Sequence, residues 1–559
     1  MVKNLSKKQV SFTEISPSEF FYRNRDLAGF SNPSRALYFA TRELVENSLD
    51  ACEQTRILPN IFVRIIPESV NGDLSDPKSY ILKIQDNGPG VDPKYVPNAF
   101  ARVFYGSKFH LRQARGMFGM GGTMSILYGQ ITTNRPVLIT TSIDGVKATI
   151  FEMMINIQNN SPRILNKTVV DANGVTGTSV QITLIGDYTR GSQKIHDYFK
   201  ETALVTPYAN IVYADALGRI SYYERVTDKM PNSPKETLPH PHGIDVEALR
   251  RLLTQATEKN LIKFLQKNFH RVGERISRKF LEYAGLPLNT KPSELNNDQM
   301  VKFGNALHSF KEFLQPDASC LSPLGNEILD VGITKELQPE FSAVTQRPPS
   351  AYSGFPFIVE TGLAYGGKIL PAGIRIMRFA NRIPLLYDER NDIAWKIVNE
   401  EIDWRRYKIP QDAPLTIVTH VCSTKIPYKT VGKEYLADRP ELEKELKNAV
   451  REVVRRLGIH LSKKGSMEAV KRKMNIYGRY LPLVAKFSAD IIKAEKLPRY
   501  RKLLERKNED NIKAETSNVL EEKKPQENIK EDVEQKVDNN EKINEEKIVG
   551  RQRTIEEYS

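Results

Sequence analysis

The stretch "RELVENSLDA", residues 42–51, sets Glu43, Asn47 and Asp50 at i, i+4 and i+7. On a helix turning 100° per residue they fall within a sector of roughly 60°. Two carboxylates and an amide in one row are material for acid–base chemistry, although a solvated polar face has the same spacing. Leu37, Ala40, Leu44, Val45 and Ala51 occupy the rest of the helix and read as its buried side. Downstream, "DNGPG" (Asp86–Gly90) follows directly on a strand pattern. That predicts a buried carboxylate beside a tight turn, and an ordinary hairpin turn fits as well. In "GMFGMGG" (Gly116–Gly122), Gly119, Gly121 and Gly122 let backbone N–H groups come close to an anion. The run lacks the GK[ST] ending of a Walker A loop and the GxGxxG spacing of a dinucleotide fold. A flexible glycine loop without a ligand is the alternative. "GVTGTSV" (Gly174–Val180) is a Gly-Thr turn entering a strand and says little by itself.

The elements that must position these groups mix helices and strands. "NIFVRII" (60–66), "SYILKIQD" (79–86), "VLITTSI" (137–143), "ATIFEMMI" (148–155) and "SVQITLI" (179–185) are rich in β-branched residues and read as strands. Residues 33–52 and 193–205 read as helices, and "SILYGQI" after the glycine loop is open between the two. An α+β sandwich on one mostly antiparallel sheet is therefore expected over 19–229, after a polar arm at 1–18. A Pro-rich connector, "DKMPNSPKETLPHPHG" (228–243), leads into a small all-helical domain over 230–307. Strand patterns return near 355 and a long helix follows around 439–457, giving a second α/β domain over 308–470. Helical pattern continues through 471–504. Beyond 505 the chain is Glu/Lys/Asn-rich with Tyr558 its only aromatic. It cannot bury enough apolar surface to offset ordering entropy, so a disordered tail is expected.

Charge is uneven over the 559 residues. The formal net charge is +14, while residues 501–559 carry −3 and the remainder +17. A basic body suggests a polyanionic partner, most simply nucleic acid. Cys52, Cys320 and Cys422 are far apart and form no CxxC pair, which argues against a disulfide framework or a zinc site and suits a reducing cytoplasm. No signal peptide and no membrane span are expected. His240 and His242 have no Cys or acidic cluster beside them and read as loop.

Together, in this order and spacing, the four motifs resemble the Bergerat-fold ATPases, which include gyrase, MutL proteins, sensor kinases and heat-shock chaperones. The resemblance implies that Glu43 is the base that activates water, Asn47 the Mg²⁺ ligand, and Asp86 the acceptor for the adenine amino group. It implies further that Gly116, Met117, Phe118, Gly119, Met120, Gly121, Gly122 and Thr123 form the lid over the phosphates of ATP, and that Thr178 helps hold the adenine. Lys425, in "CSTKIPYKTVGKE", is the implied lysine that reaches the γ-phosphate from a second domain. The stretches 19–53, "DNGPGV", "ARVFYGSKFH", "RQARGMFGMGGTMSILYGQ" and "RFANRIPLLYD" more closely resemble the B subunits of archaeal DNA topoisomerase VI, over roughly residues 15 to 490. Ser107 and Lys108 then fall where that family contacts nucleotide. The helical insert at 230–307 matches its helix-two-turn-helix module, 308–470 its transducer, and 471–504 a linker to the partner subunit.

That resemblance implies a type IIB topoisomerase: ATP-driven passage of one duplex through a transient double-strand break. A separate A subunit would carry the cleaving tyrosine, two B subunits would close on ATP, and the assembly would be an A2B2 heterotetramer in the cytoplasm at the nucleoid. DNA contact would be to phosphates and largely independent of sequence; basic helices near 250–280 and 450–465 are candidates. A protein-acting chaperone-like clamp shares the nucleotide site but has no need of a DNA-facing charge. A sensor kinase lacks room for a phosphoacceptor helix ahead of residue 36. An ATP-blind scaffold is disfavoured by the presence of Glu43, Asn47, Asp86 and the glycines.

Overall fold

The computed structural model describes residues 14–69, 77–106, 111–116, 119–430, 432–493 and 496. Most of the expected arm and the whole 505–559 tail lie outside the described residues. Pro17–Arg23, which begins at the end of the expected arm, is a helix, because "SPSE" supplies a Ser16 cap that accepts from Glu19 N, a proline in the first turn and an acidic residue at its third position.

The first sheet has eight strands in the order Ser161–Asp171, Lys147–Asn156, Val137–Ser142, Gly177–Gly186, Lys78–Gln85, Asn60–Pro67, Asn210–Ala214 and Ile220–Tyr223. Every neighbouring pair is antiparallel except Asn60–Pro67 with Asn210–Ala214. Alternation sets the faces: Ile61, Val63 and Ile65 are buried, and the residues between them are not. Helices Pro33–Gln54, Gly121–Thr133 and Tyr188–Val205 cover the apolar face, so "SILYGQI" is helical. The edge strand Ser161–Asp171 has no buried residue. Its apolar residues come in pairs, Ile164–Leu165 and Val169–Val170, all four exposed, which is why its pattern announces neither strand nor helix.

The second sheet is built around Phe355–Tyr365 and Leu415–Ser423, antiparallel to each other, with every residue of the latter buried. Ile374–Ala380 runs parallel to Leu415–Ser423, and Phe341–Gln346 pairs with Phe355–Tyr365. A helix the sequence did not announce, Gly325–Leu337, packs on Tyr188–Val205. An added Cβ on Gly332 would lie 1.8 Å from the Leu204 carbonyl oxygen, so only glycine allows so close an approach. Leu204, Val205 and Tyr208 share a core there with Leu329, Ile333, Met377 and Val418, which joins the two sheets.

Between them in sequence, helices Val246–Gln255, Leu261–Asn268, Glu274–Ala284 and Asn297–Ser309 enclose Phe264, Phe280 and Phe303. Asp245, Asn260 and Asn296 cap three of these helices. His240 and His242 donate to the carbonyls of Leu314 and Phe310, a structural use. Contacts group the chain through Gly458 as one unit and from Ile459 onward as a second. The helix Pro440–Ile491 contributes to both: Leu442, Leu446, Val450, Val453 and Leu457 are buried in the first, while Ile476, Tyr480, Leu483, Val484 and Phe487 of the second are exposed. No helix among the described residues is long and apolar enough to cross a membrane.

Candidate active site

The helix Pro33–Gln54 starts at Asn32, whose side chain accepts from Arg35 N at 2.9 Å. It is packed on most sides, so its polar residues divide into two stripes. Glu43, Asn47, Ala51 and Gln54, near i, i+4, i+8 and i+11, line a cavity of about 650 Å³. Glu46, Asp50 and Glu53 form the other stripe. Asp50 is therefore set apart from Glu43 and Asn47: it is buried 3.0 Å from Arg115 and does not line the cavity.

Asp86 follows the strand Lys78–Gln85. Its Oδ2 accepts from Ser48 Oγ at 2.9 Å, and its Oδ1 from Gly88 N at 3.0 Å and Thr178 N at 3.1 Å. Burial pushes its carboxyl pKa up against the pull of these donors. Thr178 lies on the same wall of the cavity. Gly116, Gly119, Met120, Gly121, Gly122 and Thr123 line the cavity too, whereas Ser107, Lys108, Met117 and Phe118 lie outside the described residues. The helix Gly121–Thr133 begins without a side-chain cap, so its first-turn N–H groups suit an anion. A Cβ on Gly121 would fall 1.8 Å from Glu43 Oε2, and one on Gly122 would fall 3.0 Å from Asn47 Nδ2. These two glycines let the helix start rest directly on the carboxylate and the amide below it.

The structure brings a different lysine of the same loop to the cavity. Lys425 is exposed, with its Nζ 4.8 Å from the centroid of the Phe355 ring, and it does not line the cavity. Lys433 does: its buried Nζ lies 3.0 Å from Glu43 Oε1 and 3.3 Å from Glu46 Oε2. The strand Leu415–Ser423 ends just before Lys425, which is anchored by Lys425 N donating to Ser423 Oγ. The chain then needs a longer loop to reach the first sheet. Arg42 holds that loop by donating to the Gly432 carbonyl at 3.0 Å. The signal in the sequence was the glycine immediately before Lys433, which marks a close approach that "STK" lacks. Sequence reasoning also missed Arg42 and Glu46.

Arg42 lies 2.7 Å from Glu43 and 3.4 Å from Glu46. Burial opposes ionisation of Glu43, but the Lys433 ammonium and the Arg42 guanidinium outweigh it and hold its carboxyl down at about 2. Burial raises the Glu46 carboxyl. Burial works against the charge of Lys433 as well, yet the two carboxylates raise its pKa. The cluster therefore holds two cations and two acids with Glu43 ionised.

A carboxylate and an amide on one helix, below a glycine loop that opens a second helix and across from a strand-end Asp, are the arrangement that the resemblance to Bergerat-fold ATPases implies. The family described as "Topoisomerase VI B subunit, transducer" matches residues 316–473. A relative from Sulfurisphaera tokodaii, named as the B subunit of type 2 DNA topoisomerase 6, is 43% identical over 482 residues, covering 85% of this chain and 89% of its own length. Its counterpart from Metallosphaera sedula is 42% identical over 480 residues, with the same coverage. The chain belongs to the family of type 2 DNA topoisomerase 6 B subunits, ATP-driven type II topoisomerase subunits. Among solved structures, the B-subunit of DNA gyrase from Myxococcus xanthus aligns at TM-score 0.38 and 12% identity, covering 79% of this chain and 95% of that one. The ATPase region of Saccharomyces cerevisiae topoisomerase II aligns at 0.37 and 10%, covering 81% and 98%.

Proposed function

We propose that the cavity takes ATP, with Glu43 as the general base toward water, Asp86 and Thr178 at the adenine, the 116–123 loop at the phosphates and Lys433, rather than Lys425, at the γ-phosphate. The carrying observation is that Glu43 and Asn47 face one cavity beneath the uncapped start of Gly121–Thr133, while Lys433 arrives from the second sheet onto Glu43 itself. Hydrolysis of a phosphoanhydride needs in-line water and charge neutralisation more than covalent help.

A carboxylate pinned between Lys433 and Arg42 is ionised but a weak base. A phosphate next to Lys433 competes for its ammonium, loosens the hold on Glu43 and raises its basicity. Water activation is thereby conditional on a phosphate at the lysine, and the lysine's loop belongs to the second sheet. Asn47 offers a hard oxygen donor beside Glu43, which suits Mg²⁺, an ion that keeps most of its waters and shares phosphate oxygens. When bound, it would neutralise phosphate charge.

On this reading the chain is the ATP-operated clamp of a topoisomerase whose A subunit cuts DNA. Two copies close on ATP within an A2B2 assembly, acting on duplex DNA in the cytoplasm without sequence preference. The exposed row Ile476, Tyr480, Leu483, Val484 and Phe487, at helical spacing, is the surface offered to the A subunit. The domain limits follow the same reading: ATPase 19–229, helical module 230–307, transducer 308–470 and linker 471–504. The test is ATP hydrolysis by the chain with its A subunit, with and without supercoiled plasmid, read alongside plasmid topology. DNA-stimulated turnover with relaxation is expected, and Glu43→Gln should bind nucleotide without hydrolysing it. Turnover indifferent to DNA, with topology unchanged, overturns the reading.

A further inference from the structure

The segment "RFANRIPLLYD" (378–388) carries a turn that the ATP site does not account for. Asn381 and Arg382 join Ile374–Ala380 to Ile383–Pro384, both with left-handed backbone, φ 47° and 66°. Two such residues in succession make the hairpin turn that usually takes Asn-Gly. Asn tolerates the region, but an arginine there is strained, and strain of this kind persists only where the surroundings impose it.

The surroundings are specific. Asn381 Nδ2 donates to the Ala114 carbonyl at 3.2 Å and to the Ser423 carbonyl at 2.9 Å, while its Oδ1 accepts from Ser423 N at 3.0 Å. Arg382 N donates to His420 Nε2 at 3.0 Å, leaving His420 Nδ1 to donate to Glu360. The Arg382 guanidinium reaches Glu53 Oε2 at 2.6 Å and the Ser322 carbonyl at 2.7 Å. The Glu53 carboxylate is shared: Arg115 Nη2 donates to its Oε1 at 2.7 Å, and Tyr208 Oη to the same oxygen at 2.7 Å. Asn381, Arg382, Arg115 and Glu53 are all buried, and none of them lines the nucleotide cavity.

Three roots therefore meet on one turn. Ala114 and Arg115 lead into the glycine loop. Ser423 leads into the loop that carries Lys433. Glu53 lies in the last turn of the helix that carries Glu43 and Asn47. A packed apolar seam at Gly332 already joins the two sheets, and well-packed apolar residues would hold a joint as firmly as buried ions do. What the ion and amide network adds is register.

We propose that Asn381 and Arg382 are positioning residues that set the glycine loop and the Lys433 loop in register, so that phosphate contacts made by one loop are passed to the other and to the second sheet. The proposal rests on the ATP-site reading above. Its physical content is a strained element whose geometry both loops bias.

The test uses the complex with its A subunit on supercoiled plasmid. Asn381→Gly accepts the positive φ freely and loses the three side-chain bonds. Arg382→Lys keeps the charge but cannot reach Glu53 and Ser322 together. Both variants should melt within a few degrees of wild type. Each should hydrolyse ATP with turnover within about 3-fold, and relax on the order of 10-fold fewer supercoils per ATP consumed. Supercoils relaxed per ATP within about 2-fold of wild type in both folded variants would overturn the proposal. So would a loss that merely tracks the unfolded fraction. Glu43→Gln, run alongside, separates the two readings: wild-type hydrolysis there sinks the site assignment, whereas a silent Glu43→Gln with fully coupled turn variants sinks only the role of the turn.

Discussion

Replacing Lys433 with alanine tests the site at the point where sequence and structure part. The Lys433 ammonium and the Arg42 guanidinium hold the Glu43 carboxyl well below its ordinary value, although burial pushes the other way. Lys433 makes two of the three close contacts in that hold, and Arg42 makes the third. Without Lys433, Glu43 and Glu46 are left buried with Arg42 alone, and one of them takes up a proton. Breaking a buried ion pair from one side costs about 3 kcal/mol of stability, so the melting temperature should fall visibly while the protein still folds. Loss of a preorganised cation at the transferring phosphate should lower ATP turnover about 10²- to 10³-fold. The pH profile adds a sign. In wild type the two cations keep Glu43 ionised well below the ordinary carboxylate range, so no acid limb from this group is expected in an assay above pH 4. In Lys433→Ala its pKa rises toward the ordinary value, and residual turnover should fall off as pH drops toward 5. Lys425→Ala is the control: it loses the contact with Phe355 outside the cavity, and turnover should stay within about 2-fold. If Lys425→Ala abolished turnover and Lys433→Ala spared it, the reasoning from the Glu43 contacts would be refuted.

Gly121→Ala forces a methyl to 1.8 Å from Glu43 Oε2, so the helix start must lift, and steady-state assays should show turnover lowered at least ~10²-fold in a protein that still melts cooperatively. Asp86→Ala removes the acceptor for Ser48, Gly88 and Thr178, and nucleotide titration should show affinity weakened by about 10-fold or more. Glu201 is buried with Arg375 3.9 Å away, and burial pushes its carboxyl up to about 8. Because that lies above the unfolded value of 4.5, its contribution to stability is complete below pH 4.5 and is lost as pH rises toward 8. Thermal melts of Glu201→Gln should therefore match wild type near pH 5 and exceed it at pH 8.5; equal melting at both values would contradict the burial argument.

Much of the cavity's lining was legible because its motifs are local. Glu43 and Asn47 are one helical turn apart, and the glycines that rest on them are consecutive. Asp50 could not be placed from spacing: it shares the 60° sector with Glu43, but the helix is enclosed, and about 20° divides the cavity row from the row that meets Arg115. Lys433 was harder because three lysines share its loop and only the fold shows how far the loop must reach. The helix Gly325–Leu337 escaped because it is apolar on several sides and glycine-containing, so its pattern carries no single face. The Asn381–Arg382 turn joins residues hundreds of positions apart, which no local pattern encodes.

The edge strand Ser161–Asp171 bears on solubility. One side of it has no strand partner among the described residues, and its exposed Ile164, Leu165, Val169 and Val170 are the composition from which aggregates grow. Against this stand Pro162, which cannot donate to an added strand, the charges of Arg163 and Lys167, and a register break opposite Glu152 and Met153 that bends the ribbon. These residues do not line the nucleotide cavity, and their expected effect is on solubility at high concentration. Neutralising Arg163 and Lys167 would yield a chain that folds and hydrolyses normally when dilute and precipitates when crowded.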